Sequence, residues 1–332
     1  MTLLRSLGTG TALAFVAIAL VIAVAGGATL GTLARPAPPT PTPTPEPTPA
    51  APTPEPDTAP LVFALPLTGG CASDDAAWVV SDGGGIGRFD GTKWRLADPT
   101  LRSLLGAACT PDMVFAVGPA GRVLTIDDRT RSIRADDLGI VDLFAISLLP
   151  DGTLAVGAGG AVLRQTANGW QPYARGLEED LFAVVGFSGT SAWTVGSNGA
   201  AFRLEDQGWR QFATGTKATL RALAASTAND AIAAGDGGVL LRFDGRWRPL
   251  ESGVTSDLRA AARVGAVTYV AGDGGVLLAV QGNDVRPVDL ATTCALRGVF
   301  AKGDDLWVVG SSGMKAAVWR KSGDRVDGWG DC

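Results

Sequence analysis

The chain has 332 residues and no histidine. That absence removes His-based catalytic triads, His–metal sites and the commonest general base. Tyrosine is nearly as scarce, with only Tyr173 and Tyr269 present. A sialidase-type site needs a tyrosine nucleophile beside an arginine triad and an acid, so it finds little material here. Cysteine occurs four times and never as C-x-x-C, which makes metal binding through thiolates a minor reading. A basic surplus is also missing. Lys and Arg number 28 against 33 Asp and Glu, a net charge of −5 that argues against a general nucleic-acid binder. The glycine-rich turns lack a following helix or a lysine, so they are not phosphate loops. These absences point to a non-enzymatic protein with no cofactor, no metal and no nucleic-acid partner.

The chain is rich instead in glycine, with 45 residues, and in one recurring pattern. A small apolar run ends in a turn that carries Gly or Ser first and Gly three residues later. It reads VVSDGG at 79–84, AVGPAG at 116–121, AVGAGG at 155–160, TVGSNG at 194–199, AAGDGG at 233–238, VAGDGG at 270–275 and VVGSSG at 308–313. The first turn residues are Ser81, Gly118, Gly157, Gly196, Gly235, Gly272 and Gly310, spaced 37 to 39 apart. Self-similarity near 40 residues marks a propeller blade array. Unit five shows four short strands: LRALAAS at 220–226, AIAAG at 231–235, GVLLRF at 238–243 and, after an Asp244-Gly245 hairpin signal, RWRPL at 246–250. Seven such units predict an all-β, seven-bladed β-propeller of four-stranded blades over 61–332.

Two segments precede it. Residues 6–34 carry no charge and lie between Arg5 and Arg35. The stretch is long enough to span a bilayer, and Ala23-Val24-Ala25 before Gly26 is a plausible cleavage site. Residues 1–35 therefore read as a signal anchor, with a cleaved signal peptide as the alternative. Residues 36–60 are a Pro/Thr-rich linker, able to reach roughly 75 Å as an extended polyproline spacer. The expected location is the cell membrane, single-pass, with the propeller outside the cytoplasm. In an exported domain four cysteines suggest disulfides. Cys71 and Cys109 hold matching places in adjacent units, whereas Cys294 opens the last unit and Cys332 ends the chain. The expected pairs are Cys71–Cys109 and Cys294–Cys332, among three possible connectivities.

Positions phased against the turn give three further expectations. The third residue before each anchor is Trp78, Phe115, Leu154, Trp193, Ile232, Tyr269 or Trp307, a large apolar residue that reads as inter-blade core. Tyr269 is thereby assigned to packing rather than catalysis. Seven residues after the anchor lie Arg88, Arg164, Arg203 and Arg242, in the same units that carry Trp94, Trp170, Trp209 and Trp247 across the next hairpin. Cross-strand stacking of each Arg on its Trp is expected, as a structural staple. The acidic turn residues Asp82, Asp90, Asp236, Asp244 and Asp273 read as turn formers rather than calcium ligands. Finally, aligning an L-R/F-A pattern at the start of the innermost strands gives Phe63, Arg102, Phe144, Phe182, Arg221, Arg259 and Arg297. These side chains are expected to ring one mouth of the axial channel as a candidate binding surface, basic on one arc and apolar on the other.

The repeat W-x-V-G-x-x-G-x-x-x-R-x-D-G-x-x-W resembles bacterial BNR/Asp-box-like propellers, above all those related to the photosystem II stability/assembly factor. AVGAGGAVLRQTANGW at 155–170, TVGSNGAAFRLEDQGW at 194–209 and AAGDGGVLLRFDGRW at 233–247 carry the resemblance. The Asp-box itself, S-x-D-x-G-x-x-W, is degenerate: FDGTKW at 89–94 keeps its Asp, Gly and Trp. The resemblance implies a lumenal or periplasmic assembly or interaction protein. The expectation is a monomeric, membrane-tethered propeller that binds a protein or peptide in the cell envelope. A carbohydrate-binding or degenerate glycoside-hydrolase-like propeller, using Trp94 or Trp170 as sugar platforms, is the alternative.

Overall fold

The computed structural model describes residues 63–332, apart from 74, 75, 99–101 and 175. The apolar segment 6–34 and the 36–60 linker lie outside the described residues. Within them no helix is long and apolar enough to cross a membrane. The described residues form 28 strands in seven antiparallel sheets, each sheet holding four strands in chain order. The seven blades cover 67–98, 106–137, 143–172, 181–211, 220–250, 258–287 and 295–330. Blade five runs Leu220–Thr227, Asp230–Gly235, Leu240–Phe243 and Trp247–Leu250. These strands match the sequence reading to within two residues at every end.

The recurring turn has a steric cause, seen most plainly in blade five. In blade five Gly235 is extended, but a Cβ there would sit 2.0 Å from the Thr219 carbonyl oxygen at the entry to the blade's own first strand. Gly238 adopts φ +75°, and its Cβ would fall 2.0 Å from the carbonyl of Val254 in the loop leaving the blade. The turn therefore clamps the end of the second strand between the chain entering the blade and the chain leaving it. Only glycine satisfies both contacts.

The apolar residues form a ring of seven clusters, and each cluster joins two neighbouring blades. Trp193 and Val195 of blade four, for example, pack with Leu220, Leu223 and Phe243 of blade five. The large second-strand position supplies this core: Trp78, Trp193, Leu154, Ile232, Phe115 and Trp307 are all buried. Tyr269 packs half-buried against the blade six–seven cluster. No strand is exchanged between the first and last blades. Their junction is closed by aromatics: Trp94 and Trp307 meet edge to face at 6.1 Å, and Trp307 stacks on Trp329 at 5.8 Å. The Ala316 N–H donates to the Phe63 carbonyl across the same junction (3.1 Å).

Both expected disulfides are present, Cys71–Cys109 between the first strands of blades one and two, and Cys294–Cys332 between the entry to blade seven and the chain end.

The arginines seven residues past the anchor are staples, but not on the tryptophans expected. The residue opposite Arg88 is Arg95, and Trp94 faces Phe89. Likewise Trp170, Trp209 and Trp247 lie opposite Gln165, Leu204 and Phe243. The hairpin closes one residue off the assumed midpoint, and a one-residue offset sends a side chain to the other face of the sheet. On its other side each arginine faces the large second-strand residue: Arg88 lies 5.5 Å over Trp78, and Arg203 lies 5.5 Å over Trp193. Arg320 of blade seven does the same over Trp307 at 5.4 Å, hidden from the phasing by a longer hairpin. The four expected arginines also reach the following blade, through Arg88 to Asp128, Arg164 to the Gly189 carbonyl, Arg203 to the Ala228 carbonyl and Arg242 to Asn283.

Each disulfide closes a 38-residue separation, for which chain-entropy arguments give about 4 kcal/mol of stabilisation. Cys294→Ala with Cys332→Ala is therefore expected to lower unfolding free energy by about 2–4 kcal/mol, measured by denaturant unfolding. Gly238→Ala is expected to be at least as damaging as losing either bridge, because the new methyl has no space.

Candidate functional site

At or just before the start of every first strand lies a leucine at most 1% exposed: Leu67, Leu104, Leu143, Leu181, Leu220, Leu258 and Leu296. The leucine anchors the strand in the blade junction. Because side chains alternate along a strand, the next residue points to the channel side. Those residues are Thr68, Leu105, Phe144, Phe182, Arg221, Arg259 and Arg297. Thr68, Leu105, Phe144, Phe182, Arg221 and Arg297 line an axial cavity of about 170 Å³ together with the small residues that follow them, and blade six contributes Ala260 and Ala261.

Four of the seven expected residues, Phe144, Phe182, Arg221 and Arg297, line this cavity; Arg259 holds the equivalent strand position without lining it, and Phe63 and Arg102 do neither. Phe63 lies before blade one and packs edge-on against Trp94 at 6.0 Å, in the closing junction. Arg102 sits in the loop ahead of blade two, two-thirds exposed, and pairs with Asp137 at 2.8 Å. The stretches VFA at 62–64 and LRS at 101–103 imitate the true strand starts, but the buried leucines are Leu67 and Leu104.

The ring is divided by chemistry. Blades one to four present Thr68, Leu105, Phe144 and Phe182, and the two phenylalanine rings stack at 5.0 Å. Ile140 and Val141, 42% and 44% exposed, extend this apolar side along the loop entering blade three. Blades five to seven present arginines. The Arg221 guanidinium lies 5.1 Å over Phe182, joining the two arcs.

The arginine arc is not a free basic patch. Arg221 donates to both oxygens of Asp236 (2.5 and 3.1 Å). Arg259 donates to both oxygens of Asp273 (2.6 and 2.5 Å) and to Asp257 at 3.3 Å. The hydrogen bonds from Arg259, and then its charge with those of Arg297 and Arg221, hold the Asp273 carboxyl below the usual carboxylate range against the cost of its burial. The same bond raises the Arg259 guanidinium above its ordinary value. Arg297 differs: it is 39% exposed at the side chain, and its ion pair with Asp273 is 3.6 Å long. Its donors are directed by no closer carboxylate among the described residues.

The acidic turn residues follow turn and pairing chemistry. Asp90 accepts from the Thr92 hydroxyl and from the Thr92 and Lys93 amides, which lowers its pKa to about 2. Asp82 accepts from Ser103, and Asp244 pairs with Arg248. No group of three Cys, Asp or Glu among the described residues is arranged to hold a metal.

The sequence reading missed one device at this end of the molecule. Asp142, Asp180 and Asp257 open blades three, four and six, and each carboxylate accepts the central turn N–H of the preceding blade: Ala120 (2.9 Å), Gly159 (2.8 Å) and Gly237 (2.9 Å). The Asp-Leu pairs at 142–143, 180–181 and 257–258 were the available signal. These contacts fix the turns that surround the channel mouth.

No protein-family model and no curated protein sequence matches the chain. Its fold does match solved structures. The WD40 β-propeller domain of Doa1 superposes with a TM-score of 0.67 at 12% identity, covering 77% of this chain and 93% of that one. YCF48 bound to D1 peptide gives 0.62 at 15% identity, covering 76% and 92%. YCF48 from Cyanidioschyzon merolae gives 0.55 at 17% identity, covering 68% and 84%. At these identities the likeness is one of fold.

The depressed Asp273 carboxyl implies a sign for the pH dependence. Its contribution to stability is complete above its ordinary value of 3.8 and is lost as pH falls through the lowered folded value. Asp273→Asn is expected to flatten the acid limb of the stability profile below about pH 4, measured by denaturant unfolding at stepped pH.

Proposed function

We propose that the chain is a non-enzymatic binding module that receives a protein or peptide across the channel mouth. The partner presents an apolar side chain to Phe144 and Phe182 and a carboxylate to Arg297. The observation that carries this reading is the join between the two arcs: a stacked aromatic pair, an arginine fixed over its edge, and a further arginine exposed beyond it. Arg221 and Arg259 are already held by aspartates, so they shape the mouth, and Arg297 supplies the unspent donors. Apolar surface beside oriented charge suits selective protein recognition.

The comparison supports the mode of use and no more: a propeller of this fold, YCF48, has been solved with a D1 peptide bound. An assembly role, the Asp-box kinship and a bacterial origin belong to this proposal through the sequence resemblance. Export and tethering belong to it too, supported by the uncharged 6–34 segment, the proline-rich spacer and the two disulfides, which suit an oxidising compartment. The carbohydrate alternative loses one of its two platforms, because Trp94 is 1% exposed in the closing junction.

Site-specific photo-crosslinking in cells, with the crosslinker at residue 144 of the full chain, tests the mouth. A discrete protein adduct is expected, and Arg297→Ala should weaken its capture roughly 10- to 100-fold, the range of a lost charge-assisted hydrogen bond. Thermal stability should fall by less than about 1 kcal/mol, since the ion pair of Arg297 with Asp273 is long and part exposed. Adduct yield that is indifferent to Arg297→Ala overturns the site.

A further inference from the structure

The three arginines at the mouth hold one structural position and meet different ends. Each is the extra residue of a bulge near the start of its blade's first strand, between Leu220 and Ala222, Leu258 and Ala260, or Leu296 and Gly298. A bulge re-aims the side chain it carries. In blades five and six the guanidinium is aimed at the residue just past the anchor glycine, Asp236 or Asp273. Both pairs are bidentate: Nε and a terminal nitrogen of the arginine donate to different oxygens of one carboxylate. An arginine offers the same fork to any incoming carboxylate.

Aspartate past the anchor tracks the arginine. Blades two, three and four present Leu105, Phe144 and Phe182 to the channel and carry Pro119, Ala158 and Ser197 past the anchor. Blade one has Asp82, which accepts from Ser103 instead. Blade seven breaks the pairing. It has the arginine, Arg297, but Ser311 past its anchor Gly310. Ser311 holds the same backbone place as the two aspartates. The Asp236 N–H donates to the Thr219 carbonyl and the Asp273 N–H to the Asp257 carbonyl, in each case the residue before the buried leucine. Ser311 likewise pairs with Ala295, the residue before Leu296. With no aspartate of its own, Arg297 has Asp273 of blade six at 3.6 Å, through an oxygen that already accepts from Arg259 Nε.

We propose that Asp236 and Asp273 stand in for ligand carboxylates on two of the three guanidinium forks, leaving the fork of Arg297 to take one carboxylate from outside. The inference rests on the reading of the mouth given above and sets its selectivity. A partner with a single acidic group beside its apolar side chain meets one open fork. A partner with several acidic groups brings the others against Asp236 and Asp273, and against Asp257, which also accepts from Arg259. Like charges brought together reject it. The two turn aspartates are therefore specificity-determining residues, and the serine of blade seven is what opens the site.

The test is a ligand-observed NMR titration of the full chain with two probes. One is 4-methylpentanoate, with a single carboxylate and a branched apolar tail. The other is tricarballylate, with three carboxylates. The wild-type chain is expected to bind 4-methylpentanoate saturably, about tenfold more weakly after Arg297→Ala, and to bind tricarballylate at least about tenfold more weakly than 4-methylpentanoate. Asp236→Asn with Asp273→Asn should strengthen tricarballylate binding about tenfold or more while changing that of 4-methylpentanoate far less. Should the double variant fail to fold, Asp236→Asn alone should shift tricarballylate in the same direction. Ser311→Asp supplies the third fork from within and should weaken 4-methylpentanoate about tenfold with the circular dichroism spectrum retained. A wild-type chain that binds neither probe, or binds 4-methylpentanoate regardless of Arg297→Ala, overturns the reading of the mouth and this inference with it. Where those two results hold, the inference alone is overturned by equal wild-type binding of the two probes, by tricarballylate binding that does not rise in a folded asparagine variant, or by 4-methylpentanoate binding undiminished in folded Ser311→Asp.

Discussion

Every blade must bury two faces, and each face can be buried only by a neighbour. The fold therefore depends on seven apolar junctions closing on themselves. The glycine turn serves this requirement, since it draws each second strand against the entering and leaving chain and so sets where the junction residues lie. The arginines past the turn serve it as well. They cover the large junction side chains and bond to the next blade, converting stacked sheets into a linked ring. Where the first and last blades meet, no strand is shared among the described residues, and that junction carries the densest aromatic packing, with Trp94, Trp307, Trp329 and Phe89 in mutual contact.

The same organisation governs the candidate site. At the channel mouth seven equivalent positions are free to vary, because the buried leucine before each already anchors the strand. Chemistry has diverged there, from threonine to phenylalanine to arginine, without cost to the ring.

The architecture was legible in the sequence because its cause is local. A turn that admits only glycine at fixed points repeats visibly, and four strands fit between one turn and the next. The Cys71–Cys109 pair followed from phasing cysteines against it, and Cys294–Cys332 from their places at the start and end of the last unit. What phasing could not resolve was register within a hairpin. Arg88 and Trp94 look like partners by count, yet a one-residue difference in where the hairpin closes puts Trp94 in the aromatic seam and Arg88 on Trp78. The false strand starts at Phe63 and Arg102 arose likewise, because a three-residue pattern was matched where the deciding property was burial of the leucine. The aspartates that neutralise Arg221 and Arg259 stand 14 or 15 residues away in sequence, and only the sheet brings them alongside. The sequence showed charge there, and the fold showed how little of it is unspent.

The placement of the two covalent bridges has a mechanical consequence. The described chain enters the ring at residue 63, beside the seam, and Cys71 follows within the first strand. A pull along the chain from that side acts first on the junction between the first and last blades, where aromatic packing and the Ala316–Phe63 backbone hydrogen bond resist it. The Cys71 bridge hands that load to blade two, and the Cys294 bridge ties Cys332, just past the last strand of blade seven, back to the entry of the same blade. Tension that reaches Cys71 is thereby shared between blades one and two.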